Sequence, residues 1–429
     1  MRSQFSTFVV CPFFFIALFL SSSHTPSFGQ EIIRKGRYFV VKINKAFTVK
    51  EGGTLRIYDI RGEVRIKTWD KNEVVVNEIK RMDVYTREEA ETVLRKSKAS
   101  YIQQGEVIEI GGEHYSHDWI KSTFTVTVPK NFNVDIQTSG GDLEVTDLAG
   151  DVEFQTTGGD ILLSGIDGLV DAKTSGGDVT VFNTTKRVSV KTFGGDLTLE
   201  KIGGPLTGKT SGGDISLRSS EDRLDLHTSG GDIDIQDAGG EVRAHTSGGD
   251  IDVVNTRGSV EVHTSGGDID LRSIGGFLEA STSGGDIDGR GIKGRAEVST
   301  SGGSIRLEEV EGGVRAKTSG GDVTVEITLT DFKMSHRVDL RSSGGEIKLT
   351  IPEKLPATIE AEIEISDRWE DYNIYSDFPL TSKEEPKREG RRRRRGRKFI
   401  RSQGDINGGG DLIELFTANG NIYIKKLQK

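Results

Sequence analysis

A repeat of eighteen residues limits this chain to very few folds. "HTSGGDIDI" at 227–235 returns as "HTSGGDIDV" at 245–253 and "HTSGGDIDL" at 263–271. The residue after the double glycine, taken as position 0, stands at 142, 160, 178, 196, 214, 232, 250, 268, 286, 304 and 322. It is Asp at every one of these except Ser304, and Glu346 continues the series after an insertion near "DFKMSH". Apolar residues keep fixed offsets. In the coil beginning at Asp232 they are Ile233, Ile235, Ala238, Val242 and Ala244, at +1, +3, +6, +10 and +12. Alternation within "DIDI" and "EVRAHT" predicts two short strands per coil, each burying one face. Thr recurs at +14, from Thr138 to Thr318, on the buried parity, where a stacked column can satisfy its hydroxyls along the ladder. The double glycine and a second Gly at +8, as at Gly150, Gly240 and Gly258, mark two bends and are read as positions of positive φ. One coil cannot fold alone, because it orders its whole backbone for a handful of buried side chains; stacked coils share their ladders. The fold class expected is all-β, a single-stranded β-solenoid (β-helix) of 18-residue coils with one short inserted helix and one basic loop.

The period weakens outside 131–350. Leu55, Ile57 and Ile60 fit offsets +1, +3 and +6, Gly62 fits the second corner, and Val64, Ile66 and Thr68 fit +10, +12 and +14. Ile413, Leu415, Thr417, Ile422 and Ile424 repeat the pattern near the other end. Residues 30–130 and 351–429 are therefore expected to form degenerate coils that cap the open sheet edges. "TREEAETVLRKSKASY" (86–101) reads as a helix, with Thr86 and Glu89 as a capping box and Ala90, Val93 and Leu94 on one side. "TSKEEPKREGRRRRRGRK" (381–398) has no apolar period and reads as an exposed, disordered loop. Residues 1–29, with Arg2, the apolar run "FVVCPFFFIALFL" and the small residues Ser27 and Gly29, read as a secretory signal peptide. Cys11, the only Cys, lies inside that run, so the exported chain is expected to have no disulfide and no thiol nucleophile. No later run is apolar enough to form a transmembrane segment.

Three stretches resemble the bacterial DUF4097 family of candidate adhesins. They are "GGTLRIYDIRGEVRIKTWDKNEVVV", the entry "VPKNFNVDIQTSGGDLEV" with its serial "TSGGDI" units, and the ending "GDINGGGDLIELFTANGNIYIKK". The resemblance implies an envelope-associated, right-handed β-solenoid and no known reaction. It supplies no catalytic residues.

Candidate sites follow from the columns that a solenoid creates. Asp142 to Asp286 form an unbroken carboxylate series, expected either to accept N–H groups of their own glycine corners, as in Asx-turns, or to hold Ca²⁺. Asp232, Asp250, Asp268 and Asp286 are the metal candidates, and calcium is the one cofactor considered. Asp234, Asp252, Asp270 and Asp288 at +2 extend an acidic outer face. His227, His245 and His263 share position +13, a pattern that suits either Zn²⁺ or Cu²⁺, or plain coil duplication. Arg391, Arg392, Arg393, Arg394, Arg395, Arg397 and Lys398 are ligand-binding candidates for an anionic polysaccharide or lipid headgroup. A net charge of −9 argues against nonspecific nucleic-acid binding by the chain as a whole, and the basic run has no interleaved aromatics for base stacking, so no specific nucleic-acid partner is expected. No phosphate loop and no nucleophile–base set stands out, and charges recur coil after coil. The sequence therefore supports a non-catalytic, exported scaffold or binding module, placed in the periplasm, on the cell surface or outside the cell, with an envelope polysaccharide, lipid or protein as partner. A β-helix polysaccharide lyase or glycosidase is the enzymatic alternative, and a calcium-stabilised repeat the structural one.

Overall fold

A computed structural model describes residues 31–112, 119–365, 371–385 and 398–428. The signal-peptide expectation lies outside these residues, as do Arg391 to Arg395 and Arg397.

The repeats form two parallel sheets with one strand from each coil. In the first sheet Leu143, Ile161, Val179, Leu197, Ile215, Ile233, Ile251, Ile269, Ile287, Ile305 and Val323 pair in one continuous row. The second sheet has the matching row from Val134 through Val152, Val242 and Val260 to Val314. The rows face each other and make one core, in which Ile233, Ile251 and Val242 are fully buried. Equal offsets thus become straight columns, about 4.8 Å from rung to rung. Eleven coils at this rise span roughly 50 Å.

The step from +3 to +6 breaks strict alternation, and the backbone shows why. The residue at +5 has positive φ in ten successive coils: Asp147, Gly165, Asn183, Lys201, Ser219, Asp237, Asn255, Ser273, Gly291 and Glu309. This left-handed residue takes no part in the ladder, as the pairing Thr146↔Ser164 followed by Leu148↔Ile166 shows. It turns the strand so that +6, and not +5, faces inward. Asp, Asn and Gly tolerate the conformation best, which accounts for most of the residues found there.

The corner glycines serve a purpose other than the expected one. Gly159, Gly177, Gly195, Gly213, Gly231 and Gly249 do not have positive φ. A Cβ on any of them would overlap the carbonyl of the equivalent glycine one coil earlier. Close stacking of backbone on backbone excludes a side chain. The same holds at the second corner, where a Cβ on Gly168 would meet the Gly150 carbonyl.

"TSGGD" is a hydrogen-bonded unit. Thr246 Oγ1 donates to the Gly231 carbonyl of the preceding coil at 2.8 Å and accepts the N–H of Gly249, in its own coil, at 3.3 Å. The pattern runs from Thr174 to Thr318, and Ser342 and Thr417 continue it. The buried Thr hydroxyls are therefore satisfied along the stack, by backbone groups and not by one another. The buried hydroxyls of Thr184, Ser220 and Thr256, all at +6, have no partner. Other coils place Ile166, Ile202 and Ile274 there.

The ends combine degenerate coils, in which Ile413, Leu415, Ile422 and Ile424 stack parallel on Val338, Leu340, Ile347 and Leu349, with antiparallel meanders outside them. Tyr38–Thr48 pairs antiparallel with Glu73–Met82, which pairs antiparallel with Ile120–Pro129. At the other end Ala357–Ile365 lies antiparallel to Lys398–Ile406. The N-terminal phase also differs from the expected one by half a coil. Leu55 and Ile57 pair with Val134 and Ile136 in the second sheet, whereas Val64 and Ile66 pair with Leu143 and Val145 in the first. The helix runs over Arg87–Lys96, shorter than 86–101, with the Thr86–Glu89 capping box formed. Ser97 caps it, and Ser100–Gln104 turns into a hairpin strand against Val107–Gly111. The margins of the expected basic loop are paired as well: Thr381–Glu385 lies antiparallel to Lys398–Ile406. The insertion before Val338 is pinned by His336, whose ring nitrogens bond the carbonyls of Met334 and Pro356.

One substitution should act with opposite signs at two threonines ten residues apart. Thr246→Val strands a buried carbonyl and N–H and should lower unfolding free energy by about 1–3 kcal/mol. Thr256→Val removes a hydroxyl that has no partner and should raise it by about 1 kcal/mol. Urea unfolding of the two variants measures both changes.

Candidate functional site

The position-0 carboxylates bind along the stack. The Asp250 N–H donates to Asp232 Oδ1 at 2.8 Å, that of Asp268 to Asp250 Oδ1 at 2.7 Å, and that of Asp286 to Asp268 Oδ1 at 2.8 Å. The series runs from Asp142 to Asp286, which accepts the N–H of Ser304, and continues through Ser304 Oγ, which accepts the Asp322 N–H, to Asp322 Oδ1, which accepts that of Glu346. This corrects the expected Asx-turn: the N–H comes from the next coil, not from the residue's own corner. One oxygen of each of the calcium candidates Asp232, Asp250, Asp268 and Asp286 is thus occupied. Among the described residues no group of three His, Cys, Asp or Glu side chains has the arrangement of a metal site.

Asp234, Asp252, Asp270 and Asp288 are register partners on the outer face of the first sheet. Partial burial, and then the carboxylates of Asp270 and Asp234, push the Asp252 pKa up, with Arg272 opposing. Asp288 is raised by burial, while Arg306, at 4.0 Å, pulls it down. The first sheet therefore carries a like-charge row that its arginines only partly compensate.

The outer face of the second sheet carries both signs, with Glu261, Glu279 and Glu297 in one row at +11. Position +13 places Lys173, Lys191, Lys209, His227, His245 and His263 in one row. The imidazoles stack with centroids 4.9 and 5.0 Å apart and planes within 4° and 9° of parallel. His263 Nδ1 lies 2.7 Å from Ser281 Oγ. Ring-nitrogen lone pairs lie in the ring plane, and a metal sits about 2.0–2.1 Å from its nitrogen. Parallel rings at this separation cannot aim two lone pairs at one ion, so stacking does not assemble the metal site weighed for this triad. Burial, with His227 and His263 on either side, lowers the His245 pKa.

Away from the columns, one polar cluster is singular. Glu78 and Lys80 are almost fully buried, 3.3 Å apart. Ser122 Oγ donates to Glu78 Oε1 at 3.0 Å, Tyr101 Oη donates to Glu78 Oε2, and Lys80 Nζ donates to the Ser97 carbonyl at the helix C-terminus. Burial and the Glu78 charge raise the Tyr101 pKa well above the usual phenol range. The cluster lines a cavity of about 440 Å³ together with Asp59, Arg61, Gln137 and Gln155. Every donor and acceptor in it has a partner, and Lys80 brings a cation to the negative end of the helix. It ties the helix to the sheet and leaves no unpartnered nucleophile or base. Sequence reasoning missed it. The signal was present in the parity of "EVVVNEIKRM", which carries the buried face from Val74 and Val76 through Glu78 and Lys80 to Met82.

Of the basic run only Lys398 is described, at the start of an end-cap strand and exposed.

This geometry defines a two-sheet parallel β-solenoid with repeated, register-aligned outer columns. The chain belongs to the Toastrack DUF4097 family, whose profile matches residues 61–290 and 278–407. No curated protein matches the chain at a significant level. Among solved structures, a candidate adhesin from Bacteroides fragilis is 13% identical, with 72% of this chain and 96% of that chain covered and a TM-score of 0.21. One from Parabacteroides merdae is 12% identical, with 72% and 95% covered and a TM-score of 0.21. A candidate lipid-binding protein from Parabacteroides distasonis is 12% identical, with 72% and 96% covered and a TM-score of 0.19.

The two acidic rows differ in what a substitution should do. Asp268→Ala leaves the Asp286 N–H without its acceptor and should cost about 1–2 kcal/mol, whereas Asp268→Asn keeps an acceptor oxygen and relieves repulsion, so it should be neutral or stabilising. Asp252 has its pKa raised on folding, so the folded chain holds its proton more tightly. Stability from this group is greatest below the ordinary value near 3.8 and falls as pH rises through the raised value. Asp252→Asn should remove that fall and gain most above it, as thermal melts across that pH range would show.

Proposed function

We propose that this protein is a non-catalytic, exported binding module of the bacterial cell envelope, a rod that presents side chains at a fixed spacing to an extended partner. The carrying observation is the repetition of outward charge in register, rung after rung, on both sheets. An active site needs a few unlike groups converging on one point. The columns offer like groups spread along a line, and the buried cluster of Glu78 with Lys80 is saturated by its own partners. The basic run Arg391 to Arg395, with Arg397 and Lys398, is a second contact candidate for an anionic envelope component, and calcium is not required by the reading.

The test is retention of envelope components by the immobilised chain, with polysaccharides assayed in parallel for binding and for depolymerisation. Binding without turnover is expected, with weaker retention when residues 386–397 are removed. Depolymerisation that a single Asp or Glu substitution abolishes would establish the lyase or glycosidase alternative instead.

A further inference from the structure

We propose that the row Lys173, Lys191, Lys209, His227, His245 and His263 is a binding strip for a linear anionic polysaccharide, tightened by histidine protonation. The proposal rests on the binding-module reading and names a partner for one of its faces.

The register comes first. These six residues occupy consecutive rungs of one sheet and pair one to one, so their side chains form a straight line with one cationic or titratable group every 4.8 Å or so. The three lysines are exposed and the three histidines half-buried. A linear polymer with one charge on each sugar presents the complementary object, and each extra rung engaged adds to affinity without a new kind of contact.

The second observation is what flanks the row. Ser189 and Thr207 stand two residues before Lys191 and Lys209, and the exposed Arg187 and Arg223 lie further out on the same face. No ion pair is found for Lys191 or Lys209 among the described residues. Lys191 Nζ lies 4.7 Å from the ring centre of Phe193, itself about half exposed. Acid flanks Lys173, His227 and His263. Asp171 is 3.0 Å from Lys173, Asp225 precedes His227, and Glu261 precedes His263. Arg243, beside His245, pairs with Glu241 and Glu261. Lys191 and Lys209 are thus adjacent rungs without an ion pair among the described residues, while the outer face of the first sheet carries its four aspartates in register. A polyanion has one face to approach and one to avoid.

The third observation is the histidine stack. Three imidazoles about 5 Å apart resist full protonation because each added charge repels the next. A polyanion laid along the row supplies the missing counter-charge, so proton uptake and binding reinforce each other through linkage. Each histidine that takes up a proton lengthens the cationic line beyond the three lysines. A nucleic acid fits less well, because Phe193, the aromatic beside Lys191, gives no series of stacking platforms. A bilayer fits less well, because the row offers no apolar face to insert.

The test titrates the full chain with polygalacturonate and with dextran sulfate at fixed ionic strength, at about pH 7.5 and about pH 5.5. Neutral dextran, an oligonucleotide and anionic vesicles are comparison probes. Both polyanionic glycans should bind, more tightly at the lower pH, and neutral dextran should not. Lys191→Glu with Lys209→Glu should weaken binding by roughly tenfold or more, and Lys191→Arg with Lys209→Arg should retain it. His227→Gln, His245→Gln and His263→Gln together should leave binding at the higher pH unchanged and abolish the gain at the lower. Equal loss with Lys348→Glu and Lys425→Glu, on the first sheet, would reduce the effect to net charge and overturn the proposal. So would absence of glycan binding, or preference for the oligonucleotide or the vesicles. Retention of envelope extract by the Lys191→Glu, Lys209→Glu chain at the wild-type level would discard the strip and keep the binding module. Absence of retention by the wild-type chain would discard the module itself.

Discussion

The contact on which this structure depends is the one between successive glycine corners. Each corner must lie backbone against backbone on the one before it, which leaves no room for a Cβ at Gly231 or Gly249. Such tight stacking would bury polar backbone groups at large cost unless they were paired. Threonine supplies the pairing, with one hydroxyl linking the carbonyl of one coil to the N–H of the next. Aspartate completes the corner by accepting the N–H of its own successor. The pentapeptide "TSGGD" is repeated because every residue whose role is visible meets a copy of itself or of its neighbour one rung away. The constraint is local, and the rod is its propagation.

A corner that fixes spacing so tightly leaves the outward positions free to vary. The first sheet uses that freedom for a row of aspartates, and the second for lysines followed by histidines. Both rows accept like-charge repulsion that a solitary surface residue would not meet. Burial first, and then the like-charged neighbours, displace the Asp252 and His245 pKa values toward their neutral forms. Scaffold and surface are therefore separable in this fold: inward residues and corners determine that it stacks, and outward columns determine what it meets.

Much of this could be read from the residues, for identifiable reasons. Period-two alternation at constant spacing gave the strands, their inward faces and the Thr column, because in a solenoid equal offset is equal place. Both half-coils share the same alternation, however, so Leu55 and Ile57 could be exchanged with Val64 and Ile66, and only pairing decides the phase. The left-handed residue at +5 was implicit in the jump from +3 to +6, but Lys201 and Glu309 do not advertise that backbone. The glycines were located correctly and explained wrongly, since positive φ and steric exclusion by a neighbouring coil select the same amino acid. The acidic column was seen and its bonding partner misplaced, because a bond to the next coil leaves no trace within a single coil. The end coils kept enough of the offsets for Ile413, Leu415, Ile422 and Ile424 to be placed, whereas the antiparallel strands and the Glu78–Lys80 pair lie where repetition stops and the sequence offers parity alone.

Stacking in register makes the coils interchangeable units of eighteen residues. Deleting residues 250–267 removes one whole rung and rejoins equivalent corners, whereas deleting 250–258 joins unlike ones. Thermal unfolding of the two deletions against the full chain is the most direct measurement. The eighteen-residue deletion should keep a single cooperative transition close to that of the full chain, and the nine-residue deletion should lose it. Comparable loss in both, or comparable tolerance of both, would contradict stacking in register.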